Sequence, residues 1–254
     1  MNTRVIAVAN QKGGVAKTTT AINLSACLAE LGKRVLLIDL DPQGNATSGL
    51  GIAKHKLNQC VYDVLINDAS LKQVIQKSDY KNLKIAPARI ELAGGEIELV
   101  SQNSRESKLR KAIQTIADYF DFIFIDCPPS LGLLTINALT AATDVLIPIQ
   151  CEYYALEGLT LLMSTLETVR KHLNPKLNII GALMTMFDAR TNLSIQVVDE
   201  VKKYFPQKVF RTIISRNVRL SEAPSHGKPI SIYDSRSRGA EAYRDLAKEV
   251  LERV

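Results

Sequence analysis

The sequence contains no long hydrophobic run. Its longest apolar stretches, such as residues 145–149, fall far short of the roughly 20 residues that an α-helix needs to cross a bilayer. Near the beginning, Arg4 is followed by only five apolar residues before Asn10, a run too short for a secretory signal peptide. These absences predict a soluble, cytoplasmic protein.

Cysteine is scarce and linker sequence is absent. The four cysteines are widely spaced, form no C-x-x-C motif and lie in or beside apolar segments, at Cys27, Cys60, Cys127 and Cys151. They are expected to be reduced residues of the core. No linker rich in Pro, Gly or Ser, no low-complexity tract and no repeat interrupts the 254 residues, of which 46% are hydrophobic. We therefore predict a single domain over residues 1–254.

The first two thirds of the chain carry no net excess of positive charge. Residues 1–169 contain 16 Lys and Arg against 17 Asp and Glu, whereas residues 170–254 contain 16 against 9, so the last third carries the formal excess of the +6 chain. A basic surface there favours a nucleic-acid partner, with an ordinary solvated face as the alternative.

Short apolar runs alternate with helical patterns along the chain. The runs, which are typical of parallel strands buried on both faces, are residues 5–9, 35–40, 122–125, 145–149 and 177–184. The helical patterns between them are residues 19–31, 106–119, 133–142, 155–172 and 195–204. A further amphipathic pattern over residues 240–251 is expected to dock on the core. This alternation predicts an α/β fold with a doubly wound, mostly parallel sheet flanked by helices, and a ligand site at the carboxyl ends of its strands.

The segment NQKGGVAKTTT, residues 10–20, follows the first predicted strand and opens the first predicted helix. Its two glycines allow a tight turn, and its backbone N–H groups, the helix N-terminus and the Lys17 ammonium all favour phosphate. Thr18 is placed to put its hydroxyl on a magnesium ion. The alternative is a Gly-Gly turn with nearby surface lysines. The preferred interpretation is a phosphate-binding loop over residues 13–19, which are Gly13, Gly14, Val15, Ala16, Lys17, Thr18 and Thr19.

Two other predicted strands end in carboxylates. Asp39 and Asp41 follow one strand at positions i and i+2, on one side of the pleat, and Asp126 ends another. A buried acid at a strand end can simply cap a neighbouring helix. Beside a phosphate loop, three acids at the ends of two strands favour a magnesium ion and an attacking water.

Together these motifs resemble a known family. Lys12-Gly-Gly-x-x-Lys17-Thr18 is similar to the deviant Walker A motif, K-G-G-x-x-K-[ST], of the ParA/MinD ATPases. The segments DPQGNATSGLG, DCPPSLGLLTINAL, QCEYYALEGL, RNVRLSEAPSHGKPI and YDSRSRGAEAY resemble the chromosomal ParA branch, the Soj group. The resemblance covers nearly the whole chain.

The resemblance implies ATP and Mg²⁺ as cofactors. In it, Asp126 holds magnesium through a water, Asp39 supports the same metal shell together with Thr18, and Asp41 orients or deprotonates the attacking water. Lys17 serves the nucleotide of its own subunit, and Lys12 reaches the nucleotide of a partner subunit. The two prolines after Asp126, beginning with Pro128, make a stiff loop that can sense the γ-phosphate. Met186 and Asp188 are further expected nucleotide contacts.

The same resemblance implies a cycle of partners. ATP closes a homodimer, the dimer binds double-stranded DNA without sequence preference at the nucleoid, and a ParB-type protein stimulates hydrolysis so that a chromosome or plasmid is partitioned. Arg190 and Arg219 are the expected DNA contacts, with ion pairs to Asp188 or Glu222 as the alternative. The next candidates are Lys202, Lys203, Arg236 and Arg238. A MinD-like regulator at a membrane surface and a metabolic P-loop enzyme are the competing functions, and no membrane partner is expected.

Two residues depart from the family pattern. Ala16 stands where the residue before the loop lysine is usually Gly, which costs about 1 kcal/mol if φ is positive and nothing if the residue is helical. Ser215 replaces a proline that is usual near the adenine. Base selectivity is therefore the part of the nucleotide assignment that most depends on structure.

Overall fold

A seven-stranded sheet forms the centre of the described part of the chain, which is residues 3–152 and 157–254 of a computed structural model. The strands are β1 (Arg4–Val8), β2 (Val35–Asp39), β3 (Gln76–Lys77), β4 (Leu83–Ala86), β5 (Phe122–Asp126), β6 (Asp144–Gln150) and β7 (Asn178–Thr185). Their order is β3-β4-β2-β5-β1-β6-β7, and every pairing is parallel except that of the short edge strand β3 with β4. The three central strands are almost wholly buried, as continuous apolar runs require.

Helices cover both faces of the sheet. Within residues 3–152 and 157–254 they are α1 (Lys17–Glu30), α2 (Asn45–Gly49), α3 (Val61–Ile66), α4 (Leu71–Val74), α5 (Leu92–Leu99), α6 (Lys108–Gln114), α7 (Leu133–Ala141), α8 (Glu157–His172), α9 (Asn192–Tyr204), α10 (Val218–Glu222), α11 (Ile230–Tyr233) and α12 (Arg238–Arg253). One apolar cluster packs α1, α11 and α12 against one face of the sheet. A second cluster packs α3 and the helices from α5 through α9 against the other face. Both faces of the sheet are therefore core.

The predicted doubly wound α/β fold is confirmed, and the C-terminal helix docks on the core. Tyr243, Leu246 and Val250 on α12 are fully buried, so the apolar face of this helix is used inside the protein. No helix in the described ranges is both long enough and apolar enough to span a membrane. All four cysteines are buried with free thiols.

Several predicted boundaries are wrong for local reasons. The predicted helix 106–119 is broken, because α6 ends at Gln114 and a 3₁₀ turn (Ala117–Tyr119) follows. The predicted helix 195–204 begins earlier, at Asn192, where the Thr191 hydroxyl accepts from the Ser194 N–H as an N-cap. The predicted helix 155–172 appears as α8 from Glu157; its first two residues lie outside the described residues. Strands β3 and β4 are too short to stand out as apolar runs.

Candidate nucleotide-binding site

The loop between β1 and α1 is a preformed turn. The Asn10 side chain fixes the beginning of this loop, donating to the Pro148 carbonyl on β6 at 2.7 Å and accepting from the Lys12 N–H at 3.0 Å. Gly14 (φ 77°) and Ala16 (φ 67°) both have left-handed backbone, which curls the chain back on itself. No described residue accepts from the N–H groups of residues 13–16, and the first-turn N–H groups of a helix are free by geometry. This loop therefore presents a row of unpaired donors.

Lys17 lies inside this turn as a buried cation. Its side chain is 7% exposed, and its ammonium donates to the Lys12 carbonyl at 2.8 Å. Burial lowers the pKa of Lys17, while the nearby carboxylates of Asp126 and Asp41 oppose that shift by favouring its charged form. The loop, its lysine and these acids thus form one electrostatic unit.

Asp126 lies at the centre of the site because of strand order. β5 runs between β2 and β1, and Asp126 pairs in register with Asp39 on one side and Val8 on the other. Its carboxylate is fully buried, and neither oxygen accepts a well-aligned hydrogen bond from the described residues, although the Thr18 hydroxyl lies close enough to favour the charged form. Burial, and then repulsion from Asp39, raise the pKa of Asp126 well above its usual range. An unpartnered buried carboxylate beside Lys17 and Thr18 fits a hard divalent cation such as Mg²⁺ and its water shell.

Asp39 has a structural use that the sequence allowed as an alternative. Its Oδ2 accepts from both the N–H and the hydroxyl of Thr47, at 2.7 and 2.6 Å, and so caps α2. Its Oδ1 accepts from the Asp41 N–H at 3.3 Å. Burial raises the pKa of Asp39 to about 6 despite these bonds. Asp39 thus ties the Asp41 loop to α2, and its place in a magnesium shell stays a prediction.

Asp41 lies in the turn that leads from β2 into α2. Its Oδ1 accepts from the Gln43 N–H at 2.9 Å, and its side chain is 8% exposed. Pro128, in the loop after β5, is buried. Gly13, in the phosphate turn, lies near the same loop but has room for a side chain, since a Cβ on Gly13 would meet only Pro129, at 3.9 Å. Asp41 and the loop after Asp126 therefore flank the phosphate turn from neighbouring strands.

A cavity of about 500 Å³ opens beside the N-terminus of α1. Its lining includes Ala16, Thr19, Met186, Ser215, Arg216, Asn217, Val218, Pro224 and Tyr243. The volume suits a small organic ligand. Ser215 and Met186 line this cavity, whereas Asp188 is engaged with Arg190, and the nucleotide contacts of all three stay predictions. The sequence did not predict four of the lining residues, Asn217, Val218, Pro224 and Tyr243. Their segments resemble the family, but the resemblance does not show which side chains meet at the cavity.

Arg190 and Arg219 both make the ion pairs considered as their alternative. Arg190 donates to Asp188 at 2.6 Å and lowers the pKa of that carboxyl, while Arg219 donates to Glu222 at 2.9 Å. Both arginines remain largely exposed. The Arg216 N–H donates to the Phe187 carbonyl at 3.0 Å, which brings the two arginine segments together. The structure therefore places the two arginines on neighbouring segments at one end of the sheet.

The four other basic candidates divide into two places. Arg236 and Arg238 are exposed at the start of α12, close to Arg219, since Arg219 also contacts Asp234 at 3.6 Å. Lys202 and Lys203 are exposed in the last turn of α9, about 15 Å along that helix from its first residue. Arg236 and Arg238 thus extend the exposed surface formed by Arg190 and Arg219. The two lysines lie apart from that surface.

Of the two residues that depart from the family pattern, Ala16 is the one whose effect on stability can be measured. It adopts φ 67° and ψ 33° at the N-cap of α1, the left-handed conformation that disfavours a residue with a Cβ. We expect Ala16→Gly to raise the free energy of unfolding by about 1 kcal/mol and the melting temperature by about 2–4 °C. Thermal and urea unfolding of the nucleotide-free chain measure this.

Ala53→Gly is the matched control, because Ala53 has φ −76° and caps a short 3₁₀ turn. There the glycine only adds freedom to the unfolded chain, so we expect a loss of about 0.4–1 kcal/mol. Equal effects of the two substitutions would show that Ala16 is not strained.

The strand, the donor-lined turn, the buried lysine and the acids on adjacent strand ends define a P-loop nucleoside triphosphatase of the deviant Walker A class. The family model described as an AAA domain matches residues 3–179. The sporulation initiation inhibitor protein Soj of Bacillus subtilis is 64% identical over 247 residues, covering 97% of this chain and 98% of that protein. The chromosome partitioning protein ParA of Myxococcus xanthus is 53% identical over 98% of this chain and 88% of its own.

Solved structures give the same grouping. A cobyrinic acid a,c-diamide synthase from Mycobacterium smegmatis with bound ADP and magnesium has a TM-score of 0.87 at 42% identity, covering 98% of this chain and 94% of that one. The septum site-determining protein MinD of Pyrococcus horikoshii, complexed with Mg-ADP, has a TM-score of 0.82 at 28% identity, covering 98% and 96%. This chain belongs to the ParA/MinD family of ATPases, as the sequence motifs predicted.

Proposed function

We propose that this protein is an ATP-dependent dimerising ATPase that binds DNA without sequence preference and partitions chromosomes or plasmids with a ParB-type protein. The observation that carries the proposal is the single site formed by the phosphate turn, buried Lys17 and the acids after β2 and β5. The 53% identity to the chromosome partitioning protein ParA of Myxococcus xanthus, over 98% of this chain, supports the partitioning role.

ATP with Mg²⁺ is the proposed ligand, in line with the Mg-ADP complexes of similar proteins. The turn and Lys17 would hold the phosphates, the cavity with Met186 and Ser215 would take the base, and Thr18 and Asp126 would serve the metal. The bound metal would neutralise phosphate charge. Asp41 would orient the attacking water and accept its proton.

The exposed arginines support the DNA interaction. Exposed ion pairs contribute only about 0–1 kcal/mol, so Arg190 and Arg219 can exchange their carboxylate partners for DNA phosphates at little cost. A dimer would join two such surfaces, which explains how nucleotide can switch DNA affinity. The MinD-like alternative predicts ATP-dependent binding to anionic vesicles. It is less well supported, because the apolar face of α12 is buried.

The double substitution Arg190→Ala with Arg219→Ala tests the DNA surface. A dimer would present four such side chains, and each lost phosphate contact flattens the slope of log K against log salt by about 0.9, so the slope should become shallower by up to about 3.6. Binding to all duplexes should weaken alike, and DNA-free ATP hydrolysis should stay near wild type. Fluorescence anisotropy with several duplexes in ATP, between about 50 and 200 mM salt, measures this.

Arg34→Ala provides the matched control, because Arg34 is exposed and paired with Asp121 at 2.7 Å but precedes β2, at the amino end of the strands, whereas Arg190 follows the carboxyl end of β7. Its slope should equal that of wild type. Glu222→Gln, which removes one of the two carboxylate charges beside Arg219, should strengthen DNA binding. An unchanged slope in the double variant would place the DNA surface elsewhere, with Lys202, Lys203, Arg236 and Arg238 next. Anionic vesicles, added in place of DNA, would pellet the protein with ATP only if the MinD-like alternative holds.

A further inference from the structure

Thr47, on α2, has a buried hydroxyl that makes two hydrogen bonds. It donates to Asp39 Oδ2 at 2.6 Å and accepts from the Ala88 N–H, in the segment after β4, at 2.9 Å. The Thr47 N–H donates to the same Asp39 oxygen at 2.7 Å. Thr47 and Asp39 are both completely buried, so bulk water does not compete for these bonds. One side chain therefore joins the ends of the neighbouring strands β2 and β4 to α2.

The second oxygen of the Asp39 carboxylate leads from Thr47 to Asp41. Asp39 Oδ1 accepts from the Asp41 N–H at 3.3 Å, and the Asp41 carbonyl accepts from the Gly44 N–H at 2.8 Å. Hydrogen bonds thus run without a break from the Thr47 hydroxyl through Asp39 to the backbone of Asp41. The direction of the Asp41 carboxylate depends on that backbone.

The turn after β2 has two other attachments, and neither replaces the bonds of Thr47. On the β5 side, the Leu40 N–H donates to the Asp126 carbonyl at 3.0 Å, which fixes the end of the strand. The Lys54 ammonium donates to the Gln43 carbonyl at 2.7 Å, but this bond is exposed to water. On the β4 side, Thr47 is therefore the residue whose buried polar atoms hold the turn.

We propose that Thr47 is a positioning residue for ATP hydrolysis: its hydroxyl fixes the Asp39 carboxylate, and Asp39 fixes the backbone that carries Asp41. The inference rests on the proposed function, since it assumes that Asp41 orients the attacking water. Thr47 acts through Asp41 and not on the reacting atoms. A displacement of about 1 Å in a group that orients a reactant can lower a rate about 10²-fold, so a bond at this distance from the reaction can control its speed.

Thr47→Val tests the hydroxyl, because it replaces that group with a methyl of similar size and keeps the N–H bond to Asp39. We expect single-turnover hydrolysis with Mg²⁺ to fall about 10-fold or more. The affinity for a slowly hydrolysed ATP analogue should change by less than about twofold, because the phosphate turn and Lys17 are unaltered. Quenched-flow hydrolysis and calorimetric binding measure the two effects on the full chain.

Two conservative variants rank the hydrogen bond and guard against misfolding of the valine variant. Thr47→Ser keeps the hydroxyl, so its rate should stay within about threefold of wild type. Thr47→Cys has a thiol, which is a weaker donor and acceptor, and its rate should lie between those of the serine and valine variants. A serine variant as slow as the valine variant, or a cysteine variant as fast as wild type, would overturn the proposal.

Thr140→Val is the matched control. Thr140 is buried near the end of α7 that leads into β6, and its hydroxyl makes no hydrogen bond with the described residues. The same chemical change there should leave hydrolysis unchanged. An equal slowing in Thr140→Val would assign the effect to general loosening of the core and would overturn the role of Thr47.

Combining Thr47→Val with Asp41→Asn separates positioning from any independent effect. If Thr47 acts through Asp41, its loss should not slow Asp41→Asn further, so the two effects should be strongly non-additive. A further slowing of about 10-fold in the double variant would overturn the proposal. Wild-type hydrolysis in Thr47→Val, with slow hydrolysis in Asp41→Asn, would overturn this inference alone. Wild-type hydrolysis in Asp41→Asn itself would overturn the proposed role of Asp41, so the two failures are distinguishable.

Discussion

Asp41→Ala is expected to lower single-turnover ATP hydrolysis by about 10²–10⁴-fold while leaving ATP affinity nearly unchanged. Asp41 lies in the turn after β2, outside the donor-lined loop that would hold the phosphates, so its loss removes the group that would position the water. Lys17, Thr18 and Asp126 remain to bind nucleotide and metal. The variant should accumulate as an ATP-bound dimer. Calorimetric binding of an ATP analogue and quenched-flow hydrolysis separate the two effects.

Asp41→Asn controls for collapse of the loop. The amide oxygen can still accept from the Gln43 N–H, so the turn is kept while the charge and the proton acceptor are lost. We expect hydrolysis as slow as in the alanine variant. Wild-type hydrolysis in Asp41→Asn would assign Asp41 to holding the turn and not to the reaction.

The turn between β1 and α1 could be predicted from the sequence because its determinants are local. The turn over residues 13–19 follows from two glycines, a lysine and a threonine between a strand and a helix, and each feature lies within a few residues of the next. The meeting of Asp126 with the phosphate turn follows from a general rule, since the carboxyl ends of parallel strands share one edge. Strand order then adds that β5 lies between β1 and β2.

Partners distant in sequence could not be predicted. The sequence predicts Asp39 and Asp41 on one side of a pleat, but β2 ends at Asp39, Asp41 lies in the turn that follows, and Thr47 occupies the Asp39 carboxylate. Likewise, Tyr243 reaches the start of α1, where its hydroxyl lies 3.2 Å from that of Thr20, across more than two hundred residues of sequence. Such contacts depend on tertiary packing, for which a single sequence has no local pattern.

For some residues the sequence left two alternatives open, and the structure was needed to choose between them. Sequence reasoning made the cost of Ala16 conditional on the sign of φ, and the observed left-handed geometry decides it. It also weighed ion pairing against DNA contact for Arg190 and Arg219. The structure shows the pairs with Asp188 and Glu222, yet exposed pairs of this kind are weak enough to break, so the two interpretations are compatible.

Lys12→Ala is expected to abolish ATP-dependent dimerisation while ATP still binds the single chain. The Lys12 side chain does not enter its own phosphate turn: its carbonyl accepts from Lys17, whereas its ammonium lies 4.0 Å from Glu152 and is one-third exposed. This long, partly exposed ion pair is weak, so Lys12 can exchange Glu152 for the nucleotide of a partner subunit. A dimer would lose two charge-assisted contacts, each contributing about 1.5–3 kcal/mol, so its dissociation constant should rise by about 10² or more.

Gly13→Ala and Gly13→Val separate closure from folding in the same experiment. A Cβ at Gly13 has room within one chain, since its nearest neighbour would be the Pro129 Cβ at 3.9 Å, so both variants should fold and bind ATP. In a closed dimer the glycine would face a partner backbone, and the branched valine should block association more strongly than alanine. Analytical ultracentrifugation with a slowly hydrolysed ATP analogue measures all three variants. Dimers of normal stability in Lys12→Ala would exclude a cross-subunit lysine, and the nucleotide site would then have to be complete within a single chain.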